Sequence, residues 1–297
     1  MNFEESQKAL ENYEIGELKS IKPITEGFQS MNYKLITSKG KFVLRVFYDK
    51  PANVEHMMKV YDFLYNKKIK TPKLFKTKKG KFYLVLNKKT IAIQKFVEGK
   101  PDYSYKYLPL WGKELGKVQK KLCEFKSRKK DENCIELVKK LYKKNPIKNK
   151  FIEKEFSKWK KETKKIPLKK LTKCTIHSDC GPKDFFFKKG KFQAIMDFGA
   201  AHNDFVLYDI ATFLMYTYSF PKKEHKKKDK FLNAYLKEFP LPQEELDYLP
   251  VFLKTRFLFQ IIQHTQRYEK RITSGVEKAE DNLKGVKDGI KMLKDMN

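Results

Sequence analysis

The first third of the chain alternates apolar and polar residues in short stretches that are separated by turns. Lys41–Phe47 has the period of two expected of a half-buried strand, and the turn Ser38-Lys39-Gly40 joins it to a second strand at Asn32–Thr37. The stretch from Pro51 to Asn66 then changes to helical spacing, with its apolar residues on one face. This order predicts a hairpin followed by a helix.

A second hairpin is predicted after that helix. The turn Lys78-Lys79-Gly80 separates Lys73–Thr77 from Lys81–Leu86, and both flanks have strand character. Strands, one helix and more strands together predict a small antiparallel sheet domain, which we assign to residues 1–97.

Beyond Gly99 the apolar residues recur at spacings of three and four, as in amphipathic helices. The clearest series is Leu108, Trp111, Leu115, Val118 and Leu122. Further helices are predicted at Ile135–Tyr142, Phe151–Trp159, Tyr208–Tyr218, Phe231–Phe239, Glu244–Ile272 and Val276–Met296. A β-rich stretch, Cys174 to Phe198, interrupts them. We therefore expect residues 98–297 to form a larger, mainly helical domain, and the chain to be of the α+β class.

The formal net charge of +30 has two interpretations. It indicates either a polyanionic partner, such as nucleic acid or an anionic membrane, or a generically basic surface. Only five of the 66 basic residues are arginines, and the lysines are spread through every segment. Nucleic-acid-binding proteins usually rely on arginine and concentrate their charge in a stripe. We therefore expect no specific nucleic acid and no membrane as partner.

The four cysteines show no pattern typical of a metal site or a disulfide framework. Cys123, Cys134, Cys174 and Cys180 contain no Cys-x-x-Cys pair and lack metal-ligand spacing with histidines, so free thiols are expected. No run of about 18 apolar residues occurs, and the first ten residues lack the basic and then apolar order of a signal peptide. The sequence therefore predicts a cytoplasmic protein.

The segment from Thr175 to Gly199 carries the most chemical information. Asp179 and Asp184 lie five residues apart in a predicted loop, and Asp197 follows an apolar strand beyond the turn Lys188-Lys189-Gly190. We expect the three carboxylates to lie close together at the opening of one site. Phosphoryl transfer needs such an arrangement, because Mg²⁺ prefers hard oxygen ligands and the acceptor hydroxyl needs a carboxylate that orients it and takes its proton.

His177-Ser-Asp179, Asp184 and Asp197-Phe-Gly199 resemble the catalytic loop and the metal-binding Asp-Phe-Gly of kinases. The wider sequence is similar to the phosphotransferase family that includes aminoglycoside phosphotransferases, choline kinases and type II homoserine kinases. The second acidic pair of that family is matched by Asp204 and Asp209. Leu249–Phe257 resembles the homoserine kinase branch. The resemblance implies a two-lobed protein-kinase-like fold, with a small antiparallel sheet lobe that contains one helix and a larger helical lobe.

The resemblance also implies roles for the residues of the catalytic loop. Asp179 would be the catalytic base or would position the acceptor hydroxyl. Asp197 would be the main Mg²⁺ ligand and Asp184 the second metal ligand, with Mn²⁺ as an alternative ion. His177 and Asp209 would brace the loop without taking part in the chemistry.

The residues expected to bind ATP lie in the first domain. Gly27 falls in the turn that would cover the phosphates, and Arg45 falls where the family has the basic residue of the third strand. Backbone groups of Lys95 and Phe96 would meet the adenine. The chain has no Walker A motif, so a P-loop kinase is not supported.

Three positions depart from the family pattern. Asp184 replaces the usual asparagine, Ser178 replaces the usual glycine, and Met57 stands where a helix glutamate would pair with the strand-three cation. The sequence predicts an ATP-dependent kinase that acts on a hydroxyl of a small metabolite, with a homoserine-like amino acid or an amino alcohol favoured, and a monomer or dimer. A pseudoenzyme that binds nucleotide without turnover, or an aminoglycoside- or choline-type kinase, is the alternative.

Overall fold

A computed structural model describes residues 3–24, 30–47, 50–127, 133–218, 227–272 and 279–296. Its strands are β1 (Leu18–Ile24), β2 (Ser30–Thr37), β3 (Gly40–Phe47), β4 (Leu74–Phe75), β5 (Leu84–Leu86), β6 (Lys89–Lys95), β7 (Lys100–Pro101), β8 (Lys173–Ile176), β9 (Phe185–Lys188), β10 (Lys191–Ile195) and β11 (His202–Phe205). Its helices are α1 (Phe3–Leu10), α2 (Pro51–Asn66), α3 (Leu108–Leu122), α4 (Cys134–Lys144), α5 (Lys150–Thr163), α6 (Val206–Thr217), α7 (Lys228–Glu238), α8 (Gln243–Leu246), α9 (Leu249–Glu269) and α10 (Ala279–Met296). In these residues no helix is long and apolar enough to cross a bilayer.

The chain divides into two compact units. The first contains the described residues up to Pro101 together with Phe185–Gly199, and the second contains Asp102–Asp184 and most of the chain after Gly199. The hairpin of β9 and β10, which ends at the Asp-Phe-Gly sequence, therefore belongs to the first unit. Asp179 and Asp184 belong to the second.

The largest sheet of the first unit is antiparallel. Its strand order is β1-β2-β3-β6-β4, and β5 also pairs with β6. The predicted first hairpin is confirmed, because β2 and β3 pair from Ser30 opposite Phe47 to Thr37 opposite Gly40. The buried face of the sheet contains Leu35, Phe42, Leu44, Val46, Ile91 and Ile93. Helix α1, which the sequence did not predict, packs on this core through Ala9 and Leu10.

The predicted second hairpin is wrong. The turn at Lys78–Gly80 is present, since Gly80 donates its N–H to the Thr77 carbonyl, but β4 and β5 pair with β6 and not with each other. Strand β6 contains the fully buried residues Ile91 and Ile93, whereas the flanks of the turn contain many lysines. Burial against an apolar strand stabilises pairing more than sequence proximity does, because a solvated two-stranded ribbon is only marginally stable.

Helices dominate the second unit. Helix α3 lies very close to α7, because a Cβ added at Gly112 would be 2.1 Å from the Phe231 carbonyl oxygen, and one at Gly116 would be 2.7 Å from the Tyr235 carbonyl oxygen. Helix α9 packs against α4, α5, α6 and α10. Its Thr255 hydroxyl accepts a hydrogen bond from the indole N–H of Trp159 at 2.8 Å. The central position of α9 explains why side chains on several of its faces are buried.

Two predictions about the second unit need correction. Cys123, directly after α3, and Cys174, in β8, form a disulfide, so these two thiols are not free. Their separation of 51 residues gives no signal in the sequence, and only the packing of α3 beside β8 brings them together. The long helix predicted from Glu244 to Ile272 is two helices, α8 and α9, and α9 begins with a proline in its first turn, where its missing N–H costs nothing.

Candidate active site

The carboxylate of Asp209, in the first turn of α6, holds the loop after β8 in place. Its Oδ2 accepts the N–H of His177 at 3.1 Å, and its Oδ1 accepts the N–H of Ser178 at 2.6 Å. Asp209 is fully buried, and burial raises the pKa of its carboxyl although both hydrogen bonds oppose that shift. The predicted bracing role of Asp209 is therefore confirmed by direct contacts to the loop backbone.

Ser178 adopts a backbone conformation that favours glycine. Its φ is +72°, in the left-handed region, where the side-chain Cβ of an L-residue crowds the backbone. This conformation gives a physical reason for the glycine expected there from the family resemblance. Serine at this position costs backbone strain, and the two hydrogen bonds to Asp209 offset it.

Two cations bind the carboxylate of Asp179, one on each oxygen. Nη2 of Arg256, in α9, donates to Oδ1 at 2.6 Å, and Nζ of Lys183 donates to Oδ2 at 2.8 Å. The Asp179 side chain is 31% exposed. Burial raises the pKa of its carboxyl, but Lys183 and Arg256 together lower this pKa by more than burial raises it. The pKa of Asp179 is therefore below its usual value. Asp179 is therefore ionised at neutral pH.

Sequence reasoning missed both of these cations. The one signal for Lys183 is its position four residues after Asp179, which suits a contact across one turn. Arg256 lies in the segment that resembles homoserine kinases, but 77 residues separate it from Asp179. No local pattern in the sequence predicts that pair.

Asp184, in the 3₁₀ turn Pro182–Asp184, is buried beside the loop and accepts the N–H of Gly181 at 2.8 Å. Ligand atoms of Asp184, His177 and Cys180 lie within 4.8 Å of one another, a grouping that cysteine and histidine spacing did not predict. Burial and the nearby Asp184 and Asp209 raise the pKa of the Cys180 thiol well above its usual value, so it is not a thiolate. The hard carboxylate oxygen of Asp184 is the donor that fits Mg²⁺.

The metal-ligand candidate of the first unit is Asp197, which follows β10. Its φ is +60°, a conformation that aspartate tolerates, and its N–H donates to the hydroxyl of Tyr61 at 2.7 Å. Its Oδ1 is buried and accepts no hydrogen bond from the described residues. A buried carboxylate oxygen without a donor fits a cation ligand, since desolvating it otherwise costs free energy.

Tyr61, in α2, contacts Asp197 through its hydroxyl. Burial raises the pKa of its phenol to about 12, with Asp197 adding to this shift and Arg45 opposing it. The guanidinium of Arg45, in the third strand, donates to the Ser30 hydroxyl at 3.3 Å and lies over the Phe47 ring, 4.8 Å from its centroid. The sequence placed Tyr61 only on the apolar face of the helix and missed its hydrogen bond with Asp197.

The glutamate that would pair with the strand-three cation is missing, as expected. Met57 is buried, and Glu55 instead pairs with Lys59 at 2.7 Å on the exposed side of α2. In the described part of the chain, Arg45 forms no ion pair with a carboxylate. A neutral tyrosine, one turn after Met57, makes the contact between α2 and the Asp-Phe-Gly strand.

The remaining nucleotide-binding candidates have different outcomes. Gly27 lies outside the described residues. The N–H of Lys95 donates to the Lys73 carbonyl at 2.8 Å, and the N–H of Phe96 donates to the Lys41 carbonyl at 3.2 Å. A direct contact from these two residues to adenine would therefore have to use their carbonyl oxygens. The convergence of Asp179, Asp184 and Asp197, which involves both units, stays a prediction.

Comparison with known proteins identifies the family. The profile of the phosphotransferase enzyme family matches residues 20–238. The homoserine kinase of Rhodopseudomonas palustris is 27% identical over 264 residues, covering 84% of this chain and 80% of that protein. The homoserine kinase of Zymomonas mobilis is 28% identical, covering 77% and 75%. The chain thus belongs to the phosphotransferase enzyme family.

Solved structures agree on the fold. An amicoumacin kinase in complex with AMP-PNP, Ca²⁺ and Ami has a TM-score of 0.76 at 14% identity, covering 99% of this chain and 94% of that one. A spectinomycin phosphotransferase bound to ADP and spectinomycin has a TM-score of 0.65 at 13% identity, covering 98% and 94%. The predicted protein-kinase-like fold is confirmed. The protein is an ATP-dependent kinase that phosphorylates a hydroxyl group of a small molecule.

Proposed function

We propose that the acceptor is a hydroxylated amino acid of the homoserine type, and that catalysis uses Mg²⁺ with Asp179 as the proton acceptor. The observation that carries this proposal is the ionised carboxylate of Asp179 between Lys183 and Arg256. A carboxylate in the kinase catalytic loop can orient the acceptor hydroxyl and take its proton.

Divalent metal would be held by Asp184 in the second unit and Asp197 in the first. Both offer carboxylate oxygens, the ligands that Mg²⁺ prefers. When bound, the ion neutralises charge on the ATP phosphates. Tyr61 orients the backbone of Asp197, and Arg45, which is held by Ser30 and the Phe47 ring, supplies a cation for the nucleotide phosphates.

The charges around Asp179 favour an acceptor that carries a carboxylate. With Asp184 assigned to the metal, Lys183 and Arg256 share the single negative charge of Asp179. The whole chain has a net charge of +30. A polycationic aminoglycoside would be repelled by the two cations and by the net charge of the chain, whereas a zwitterionic amino acid would not. The relatives named homoserine kinases support the same choice.

The test is ADP release by the purified chain with Mg-ATP and a panel of acceptors. We expect turnover with homoserine or a related hydroxy amino acid, and much weaker turnover with choline or an aminoglycoside. Strong activity on an aminoglycoside would instead support an antibiotic kinase. No ADP release with any acceptor, in Mg²⁺ or Mn²⁺, would support a protein that binds nucleotide without turnover.

The metal assignment has its own test. Asp197→Ala should abolish the Mg²⁺-dependent part of AMP-PNP binding as well as turnover, because the donor-free oxygen of Asp197 is lost. Calorimetry with and without Mg²⁺ measures this directly. Wild-type Mg²⁺-dependent affinity in the variant would refute the assignment.

A further inference from the structure

The binding of two cations to the carboxylate of Asp179 conflicts with its proposed role as proton acceptor. A proton acceptor works best when its pKa is close to the working pH, yet the two cations hold the pKa of this carboxyl below its usual value. Removing one cation during the reaction would make the carboxylate more basic at the moment when the hydroxyl proton arrives. For this to happen, either Lys183 or Arg256 would have to leave the carboxylate of Asp179.

Arg256 is fixed. It is 7% exposed, it lies in the 21-residue helix α9, and it donates a hydrogen bond to Asp179 at 2.6 Å. Its guanidinium also lies over the Phe259 ring, 5.3 Å from the centroid. Moving it would break all of these contacts and leave a buried charge without compensation, which is costly.

Lys183 is the cation that can move. Its side chain is 38% exposed, and it extends from a single 3₁₀ turn to Asp179. Its ammonium donates a hydrogen bond to Oδ2 of Asp179 at 2.8 Å. A lysine side chain has a flexible four-carbon stem, and its ammonium forms hydrogen bonds in several directions.

We propose that Lys183 is a further catalytic residue, whose ammonium leaves Oδ2 of Asp179 when the acceptor binds and contacts the oxygens of the transferred phosphoryl group. This inference rests on the proposed function. The phosphoryl group bonds to the oxygen whose proton Asp179 takes, so an ammonium 2.8 Å from Asp179 needs only a side-chain rotation to reach it. Charge on the equatorial oxygens in the transition state is what such a cation stabilises.

In the proposed step, one bond forms and one bond breaks at the γ-phosphorus of ATP. A bond forms between the acceptor oxygen and the γ-phosphorus, and the bond from that phosphorus to the bridging oxygen of ADP breaks. The hydroxyl proton moves to Asp179 and later to solvent. Lys183 remains an ammonium throughout and stabilises charge without transferring a proton.

Lys183 also accounts for the neighbouring departure from the family pattern. Asp184 adds a negative charge where the family has a neutral asparagine, and Lys183 is the residue directly before it in the same 3₁₀ turn. The lysine therefore offsets the added charge near the phosphates. A double-mutant cycle of Lys183 and Asp184 should show coupling between the two positions.

The test compares Lys183→Met and Lys183→Arg with Lys169→Met, which removes an exposed lysine of the same unit. Lys183→Met should lower kcat by about 10²-fold or more, the scale of one lost electrostatic donor, while AMP-PNP affinity stays unchanged. Affinity for ADP with aluminium fluoride and acceptor should fall by a similar factor. Lys183→Arg should recover part of both losses, and Lys169→Met should behave as wild type.

The pH profile gives a second readout. Asp179 must be ionised, so the acid limb of kcat/KM reports its pKa in the free enzyme. Lys183 lowers that pKa, so Lys183→Met should move the limb to higher pH. If Lys183→Met lowers kcat but keeps the wild-type affinity for ADP with aluminium fluoride and acceptor, Lys183 has only a structural role. If Lys183→Met changes only the KM of the acceptor, Lys183 binds the acceptor and does not act in the chemical step. A wild-type chain inactive on every acceptor would refute the proposed function itself, whereas an active wild type with an equally active Lys183→Met would refute only the role of Lys183.

Discussion

Helix α9 carries two buried cations, only two residues apart, with opposite charge surroundings. Lys254 is 3% exposed and lies between two carboxylates, 3.4 Å from Glu155 and 3.2 Å from Glu162. Arg256 shares the single carboxylate of Asp179 with a second cation. Residues two apart in a helix point about 200° away from each other, so the two clusters lie on opposite faces.

The difference indicates how a structural ion cluster can be told apart from one that is proposed to act in catalysis. The Lys254 cluster links α9 to α5, has one excess negative charge and contains no residue of the kinase motifs. The Arg256 cluster has an excess of positive charge, a partly exposed carboxylate and one flexible member. Burial of an ion pair alone therefore does not indicate function; excess charge that is accessible to a ligand does.

Lys254→Met should have the largest effect on stability. It leaves the buried Glu155 without its cation, and breaking a buried pair from one side typically costs about 3–5 kcal/mol. Urea unfolding measures the loss, and kcat of the folded fraction should change little. The double variant Lys254→Met with Glu155→Leu should regain much of the stability, whereas a single variant as stable as wild type would contradict the structural role.

Asp179→Asn should have the largest effect on turnover, and it should also lower stability, because the buried Arg256 loses its carboxylate partner. We expect kcat to fall by about 10²-fold or more, the scale of a lost general base, with AMP-PNP binding nearly intact. Steady-state kinetics and calorimetry check both parts. Unchanged turnover would show that Asp179 does not act in the reaction. The Arg256 cluster would then have no functional role to compare with the Lys254 cluster.

Asp184→Asn should have a smaller effect, because asparagine still offers an oxygen ligand. We expect activity within about tenfold of wild type, a change of about 1.4 kcal/mol in barrier. The wild type should need millimolar-scale Mg²⁺ or prefer Mn²⁺, since the added negative charge of Asp184 would repel the triphosphate when metal is scarce. A metal titration of ADP release on both proteins tests this. ATP hydrolysis that appears only in the variant would mark the natural chain as a pseudoenzyme.

Ser178→Gly should have the smallest effect, and in the stabilising direction. Glycine removes the Cβ that crowds the backbone at φ +72°, but it also costs conformational entropy, so we expect a gain of about 1 kcal/mol or less. Thermal unfolding measures it. Ser178→Ala, which keeps the Cβ, is the matched control and should show no gain; equal melting temperatures for wild type and glycine variant would argue against strain.

Much of the fold could be predicted from local patterns. Helix α2 has the predicted bounds, Pro51–Asn66, because its apolar face has regular helical spacing and proline marks its first turn. The hairpin of β2 and β3 was predicted for a similar reason, since its turn and its alternation agree. The second hairpin failed because both of its flanks gain more by pairing with the buried strand β6, a choice that depends on a partner farther along the chain.

For the candidate site, the sequence by itself determined which residues are the candidates for carrying the chemistry. Asp179, Asp184 and Asp197 stand in motifs whose spacing is local, so their types and order were visible without a structure. The contacts that hold these residues and the loop in place were decided only by tertiary structure: Arg256 to the carboxylate of Asp179, Tyr61 to the backbone of Asp197, and Asp209 to the loop backbone. Each joins residues 32 to 136 positions apart, and such pairs depend on how helices and strands pack to bury their apolar faces, which no local spacing encodes.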